Sequence, residues 1–182
     1  FRSAPPPRLT PGVMRQKKRT RAAMKKSVYL DSTIPSYLFD ERESIKTYVE
    51  VTKKWWNEER QNFDMWISEE TIVELSKGNY PNKTKIIECV SQIQVLPPHE
   101  HIVKIAQVYI NNYLMPGVLT GDALHLAYAS YYKMDFLLTW NCNNLANANK
   151  KQHIRIINVR MNLFTPEIVT PLELFTETSH DY

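Results

Sequence analysis

Cysteine is nearly absent from this 182-residue chain, which holds only Cys89 and Cys142. Two such distant residues cannot build a disulfide framework, and neither has the close Cys or His companion of a zinc site. Their number permits one bridge, but a buried apolar Cys89, a loop Cys142 and a reduced, cytoplasmic setting are expected. Long apolar runs are missing too. Hydrophobic residues make up 43%, in short clusters that never approach the roughly 20 residues of a membrane-spanning helix. A soluble protein with no membrane partner is therefore expected. Internal repeats and low-complexity tracts are absent from the body of the chain, and its length suits one domain.

A general excess of positive charge is also lacking, although the net charge is +4. Residues 1–23 carry Arg2, Arg8, Arg15, Lys17, Lys18, Arg19 and Arg21 and no acid. The remaining 16 basic residues face 19 acidic ones, a balance of −3. The body is mildly acidic, so any phosphate-binding surface must come from a local patch. The first 23 residues also hold Pro5, Pro6, Pro7 and Pro11 and show no periodicity. They read as a disordered leader or an expression scar, or else as a basic arm that touches RNA. A folded domain is expected over residues 24–176, with 177–182 as a tail.

From Val28 onward, short apolar runs alternate with longer amphipathic patterns, the signature of an α/β domain whose mainly parallel sheet is covered on both faces. Strands are predicted at Val28–Leu30, Met65–Ile67, Gln94–Leu96 and Phe136–Thr139, with a shorter one at Ile168–Val169. A helix is predicted over Ile45–Arg60, where Ile45, Tyr48, Val49, Thr52, Trp55 and Trp56 recur at helical spacing. Others are predicted over Glu69–Lys77, Asn82–Ile93, Glu100–Leu114 and Gly121–Tyr132, with stops at Gly78 and Pro116-Gly117. Thr170-Pro171-Leu172-Glu173 has the form of a capping box that opens a short last helix.

In open α/β sheets, ligands bind beyond the carboxyl ends of the strands, which makes polar residues there the first candidates. Asp31 follows the first strand, with the hydroxyls of Ser32 and Thr33 beside it; its structural alternative is a helix cap. Asn141 follows the Phe136–Thr139 strand in an Asn-rich turn with Asn144, and its amide oxygen can serve as a hard neutral ligand. Asp122 opens a helix, where the macrodipole alone would favour an anion by roughly 0.3–1 kcal/mol. Glu74 stands between apolar neighbours in a short helix, and most such glutamates are merely solvated. His125, one turn beyond Asp122, suits either the edge of a site or ordinary packing.

In order and spacing these segments resemble the PIN-domain family, over nearly everything from Lys25 to Phe175. The likeness rests on Tyr29-Leu30-Asp31-Ser32, Val73-Glu74-Leu75, Asp122-Ala123-Leu124-His125-Leu126-Ala127 and Leu137-Leu138-Thr139-Trp140-Asn141. Ala146-Asn147-Ala148 and Thr170-Pro171-Leu172-Glu173-Leu174 look like a bacterial VapC-like subgroup. Each motif is weak alone, and the ordered set is fairly specific. The resemblance implies a three-layer α/β/α fold with a short sheet, and an endoribonuclease acting as the toxin of a toxin–antitoxin pair, homodimeric and held by a cognate antitoxin. It implies catalytic Asp31, Glu74, Asp122 and Asn141, with Ser32, Thr139, His125 and Asn144 around them. The departure is Asn141, with Asn144, where acids are common in the family.

Three converging carboxylates repel one another unless a cation neutralises them. All-oxygen ligation by Asp31, Asp122 and Glu74 suits Mg2+ or Mn2+ rather than zinc, and such an ion would support hydrolysis of RNA phosphodiesters. The amides motivate an alternative, a catalytically weak PIN-fold module that binds RNA or protein. His99 and His101 read as exposed surface at a helix start. Trp55, Trp56, Tyr131 and Tyr132 are candidates for base stacking or, more ordinarily, for core. Lys53, Lys54, Lys77, Lys83 and Lys85 become phosphate contacts only if they ring the cleft.

Overall fold

A strand that is apolar at consecutive positions can be buried only if helices cover both faces of its sheet, and β1 (Lys26–Leu30) meets that condition. Val28 and Leu30 enter one core and Tyr29 the other. The computed structural model describes residues 25–115 and 121–176. The leader expected at 1–23, the Pro116-Gly117 break and the 177–182 tail lie outside the described residues.

The elements that follow are α1 (Thr33–Leu38), α2 (Lys46–Glu58), β2 (Phe63–Ser68), α3 (Glu69–Ser76), α4 (Lys83–Val90) and β3 (Gln94–Leu96). Beyond them come α5 (Glu100–Asn111), α6 (Asp122–Tyr131), β4 (Phe136–Leu138), α7 (Ala148–Arg160) and β5 (Glu167–Val169). The five strands form one sheet in the order β3-β2-β1-β4-β5, every pair parallel. This is the three-layer α/β/α arrangement. One layer, with Ile34, Leu38, Trp55, Trp56, Leu75 and Ile86, packs on Val28, Leu30, Phe136 and Leu138. The other, with Ile102, Tyr109, Leu126, Ile154 and Ile157, packs on Tyr29, Leu137 and Ile168. At roughly 1.5–3 kcal/mol for each fully buried large side chain, these two interfaces dominate the folding energy.

Two helices have no counterpart in the sequence prediction. α1 is six residues long and contains Pro35, too short for a periodic window to register. α7 buries Ile154 and Ile157 but leaves Ile156 and Val159 exposed, which blurs its apolar stripe. The expected Ile45–Arg60 helix is trimmed to α2 with a 3-10 turn at each end, Glu43–Ile45 and Arg60–Asn62. The expected Glu100–Leu114 helix stops at Asn111 because Tyr113 turns left-handed, with φ +56. The last segment is a single 3-10 turn, Pro171–Glu173, with both capping-box bonds made. Cys89 is half-buried rather than buried, Cys142 is exposed, and both are free thiols.

Candidate active site

Chain order runs outward from β1 in both directions across the sheet, so the crevice where it reverses lies between β1 and β4. Asp31 leaves β1 there, with its N–H donating to the carbonyl of Leu138 at 3.2 Å. Its side chain is 2% exposed. One carboxylate oxygen accepts from the Thr33 N–H at 3.0 Å and from the Thr33 hydroxyl, and the other accepts from the Thr139 hydroxyl. Asp31 therefore accepts from the first N–H of α1, whose N-cap is Ser32, and joins β1 to β4 through the same carboxylate. Burial raises its carboxyl above the ordinary value, although His125 and the Thr139 and Thr33 donors work against that rise.

The Thr139 hydroxyl also accepts from the N–H of Asn141 at 2.8 Å, which fixes the start of the Asn-rich turn. From that turn Asn141 donates to Oδ1 of Asp122 and Asn144 to Oδ2, each at 2.7 Å. Asn144 Oδ1 in turn accepts from Lys150 at 3.2 Å. Asp122 sits half-buried at the opening of α6, directly after Gly121. Gly121 has φ +59, and a Cβ there would meet Glu74 Oε1 at 2.9 Å. Its N–H donates to Glu70 at 3.1 Å. The backbone conformation at this position favours glycine, while the contact with the end of the Glu74 side chain can be relieved by a shift of that side chain.

The third carboxylate, Glu74, is half-buried and bonds Nε2 of His125 at 3.0 Å. His125 is buried, with Nδ1 2.7 Å from the Tyr29 hydroxyl, which lies 2.6 Å from Ser68 Oγ and 3.4 Å from Thr71 Oγ1. Burial opposes protonation of the imidazole, but the Tyr29 oxygen, the bond to Glu74 and the Asp31 carboxylate outweigh it and hold His125 well above its ordinary value. The same bond takes the Glu74 carboxyl below its ordinary value against the cost of burial, with Ser32 and Lys77 adding to the effect. Every acceptor is matched when both ring nitrogens donate and Tyr29 donates onward to Ser68 or Thr71.

Asp31, Thr139, Asn141, Asp122 and Asn144 thus form one bonded group, and Glu74, with His125 and Ser32, forms a second one beside it. Convergence on a common point is a different matter. Among the described residues no three His, Cys, Asp or Glu side chains are arranged as a metal cage, because each carboxylate faces a protein donor. The donor chemistry nonetheless fits a hard dication. Asp31 and Asp122 have no Lys or Arg ion pair among the described residues. Each carboxylate keeps an acceptor position beyond the bonds it makes, and turning over the Asn141 or Asn144 amide would present oxygen in place of nitrogen.

Sequence reasoning passed over Thr33 as a direct partner of Asp31, Tyr29 beneath His125, Gly121 and Lys150. A glycine immediately before the acid was the one available signal. Of the lysines considered earlier, Lys83 is tied to the carbonyls of Ser76 and Gly78, and Lys54 lies over Phe175. His99 is exposed and accepts from the His101 N–H at the start of α5, as expected for surface residues. Trp55 and Trp56 belong to the core, while the Tyr132 hydroxyl donates to the carbonyl of Pro97.

The family model described as PIN domain matches residues 28–151. No curated protein matches the chain. Among solved structures, VapBC2 from Rickettsia felis, bound to a DNA fragment from their promoter, is similar at 13% identity and a TM-score of 0.49. That likeness covers 79% of this chain and 97% of the other.

Proposed function

The chain belongs to the PIN domain family, and from that premise we propose that it is a divalent-cation-dependent endoribonuclease, the toxin half of a toxin–antitoxin pair. PIN domains are in general nucleases. The observation that carries the reading is the bonded chain Asp31–Thr139–Asn141–Asp122 at the β1–β4 switch point, with Glu74, bonded to His125, next to Gly121 at the opening of α6. In it Asp31 and Asp122 would hold Mg2+ or Mn2+, with Glu74 close by. Such an ion supplies charge neutralisation for an entering phosphodiester and lowers the pKa of water. Thr139 and Thr33 fix the Asp31 carboxylate, Asn141 orients Asp122, and His125 holds Glu74 in place. An antitoxin segment would offer a basic side chain to the same carboxylates, and the toxin would act as a homodimer.

The test is a gel assay on defined single-stranded RNAs with the purified protein, with and without Mg2+ or Mn2+. Cleavage is expected only with metal. Asp31→Asn should abolish it while the thermal melting curve persists, and a variant that cuts at the full rate would remove Asp31 from the site.

A second reading rests on the amides. Asn141 and Asn144 satisfy both oxygens of Asp122 without a metal, which suits a catalytically weak module that binds RNA or protein. Metal titration separates the two, since a ligand stabilises the state it binds. A Tm that rises with Mg2+ or Mn2+ and stays flat in Asp31→Asn supports the nuclease; no shift together with no cleavage supports the module.

A further inference from the structure

The described body of the protein is not basic, yet one helix of it is. α7 carries Lys150, Lys151, Arg155 and Arg160 with His153, and no acid, in 13 residues. Lys151, Gln152, Arg155, Ile156, Val159 and Arg160 together line one shallow cleft of about 680 Å3. They form a continuous exposed face, on which Val159 is 68% and Ile156 43% accessible. None of Lys151, Arg155 and Arg160 is engaged in an ion pair among the described residues. At a rise of 1.5 Å per residue the three cations are spaced about 6 and about 7.5 Å apart along the axis.

This face is not isolated from the crevice. α7 begins just past the Asn-rich turn, and Lys150 on its first turn donates to Asn144, which donates to Asp122. A strand of phosphates lying along α7 would be led to the carboxylates at its amino end.

We propose that the exposed face of α7 is the track for the RNA strand leading to the active site: Lys151, Arg155 and Arg160 hold successive phosphates, and Ile156 and Val159 pack against the sugars between them. The track rests on the endoribonuclease reading and adds to it the place where substrate binds. Charge complementarity selects a polyanion. RNA is chosen over an acidic protein because the row of cations ends at the proposed hydrolytic crevice. Readout is electrostatic, so the face is tolerant of base sequence.

The experiment compares the full-length wild type, K151Q/R155Q/R160Q and a control of equal charge loss, K25Q/K104Q/K133Q, whose lysines are also exposed. Binding of a labelled single-stranded RNA is followed by fluorescence anisotropy in EDTA across a salt series. The α7 variant should keep its melting temperature and bind about tenfold more weakly, with a slope of log K against log salt shallower by about 2. The control should differ little from wild type. Equal weakening in both variants, or none in the α7 variant, overturns the track while leaving the nuclease reading in place. If wild type itself binds no RNA, the nuclease reading falls and the track with it. Loss of polyglutamate binding without loss of RNA binding in the α7 variant would give the face to an acidic protein partner and also overturns the proposal.

Discussion

Asp31 is buried and held by two threonine hydroxyls beside a buried histidine, whereas Asp122 is half-exposed and held by two neutral amides from a surface turn. Both carboxylates stand at the same crevice, but their charges are satisfied differently. On the first side stands His125, held well above its ordinary pKa and bonded to Glu74 and Tyr29, with the Asp31 charge acting on it through space. On the second the cation, Lys150, bonds Asn144 rather than Asp122, and the carboxylate's partners are amides that can exchange nitrogen for oxygen by rotation. On the Asp31 side the imidazole offsets part of the repulsion between the carboxylates. What the difference teaches is a division of labour. The buried half belongs to the core and is set on folding, while the partners of the open half can rearrange.

The most severe way to break this contrast is to remove the imidazole. His125→Leu leaves the Glu74 carboxylate without its partner and takes one bond from the Tyr29 hydroxyl, and should cost about 3–5 kcal/mol in urea denaturation at neutral pH. A loss under about 1 kcal/mol would show that His125 does not hold Glu74.

The same residue should give the protein a characteristic response to pH. The folded pKa of His125 is raised, so its contribution is complete below the unfolded value of about 6.5 and is lost as pH rises through the folded value. Between the two, the folded state holds one more proton than the unfolded chain, and stability should fall with a slope approaching about 1.4 kcal/mol per pH unit. Denaturation across this window should show the fall in wild type and a flatter profile in His125→Leu.

Thr139→Val sharpens the comparison at nearly constant shape. It removes a donor to Asp31 and the acceptor of the Asn141 N–H, both at a buried position, and should cost about 2 kcal/mol. Asn144→Ala, on the open half, should cost under about 0.5 kcal/mol. Equal losses in calorimetry would erase the distinction between the halves.

Asn144→Asp probes the open half through its metal response rather than its stability, by setting a second anion against Asp122. Without metal it should cost up to about 1 kcal/mol, since the position is partly solvated. Mg2+ should recover that loss and raise Tm more than it does in wild type, whereas an unchanged metal response would place the cation away from Asp122.

Much of this architecture was legible before any coordinates. Val28–Leu30, Gln94–Leu96 and Phe136–Thr139 read as strands because they are short, apolar and bounded by polar residues; Asp31, Asp122 and Asn141 follow from where such strands end and helices begin, whereas Glu74, inside a helix, came only with the family resemblance. Of the helices, α1 and α7 were hidden. The first is too brief to have a period, and the second shows solvent the apolar residues that a pattern search assigns to the core.

The sequence by itself determined the order of elements, their burial on two faces and the residue types available at the strand ends, since these depend on local periodicity and composition. Only the tertiary structure decided how the charges are satisfied. Tyr29 and His125 lie 96 positions apart, Glu74 and His125 51, and Asp31 and Thr139 108. Whether a buried acid meets a hydroxyl, an imidazole or an amide depends on which elements lie side by side, and at such separations no local pattern carries that information.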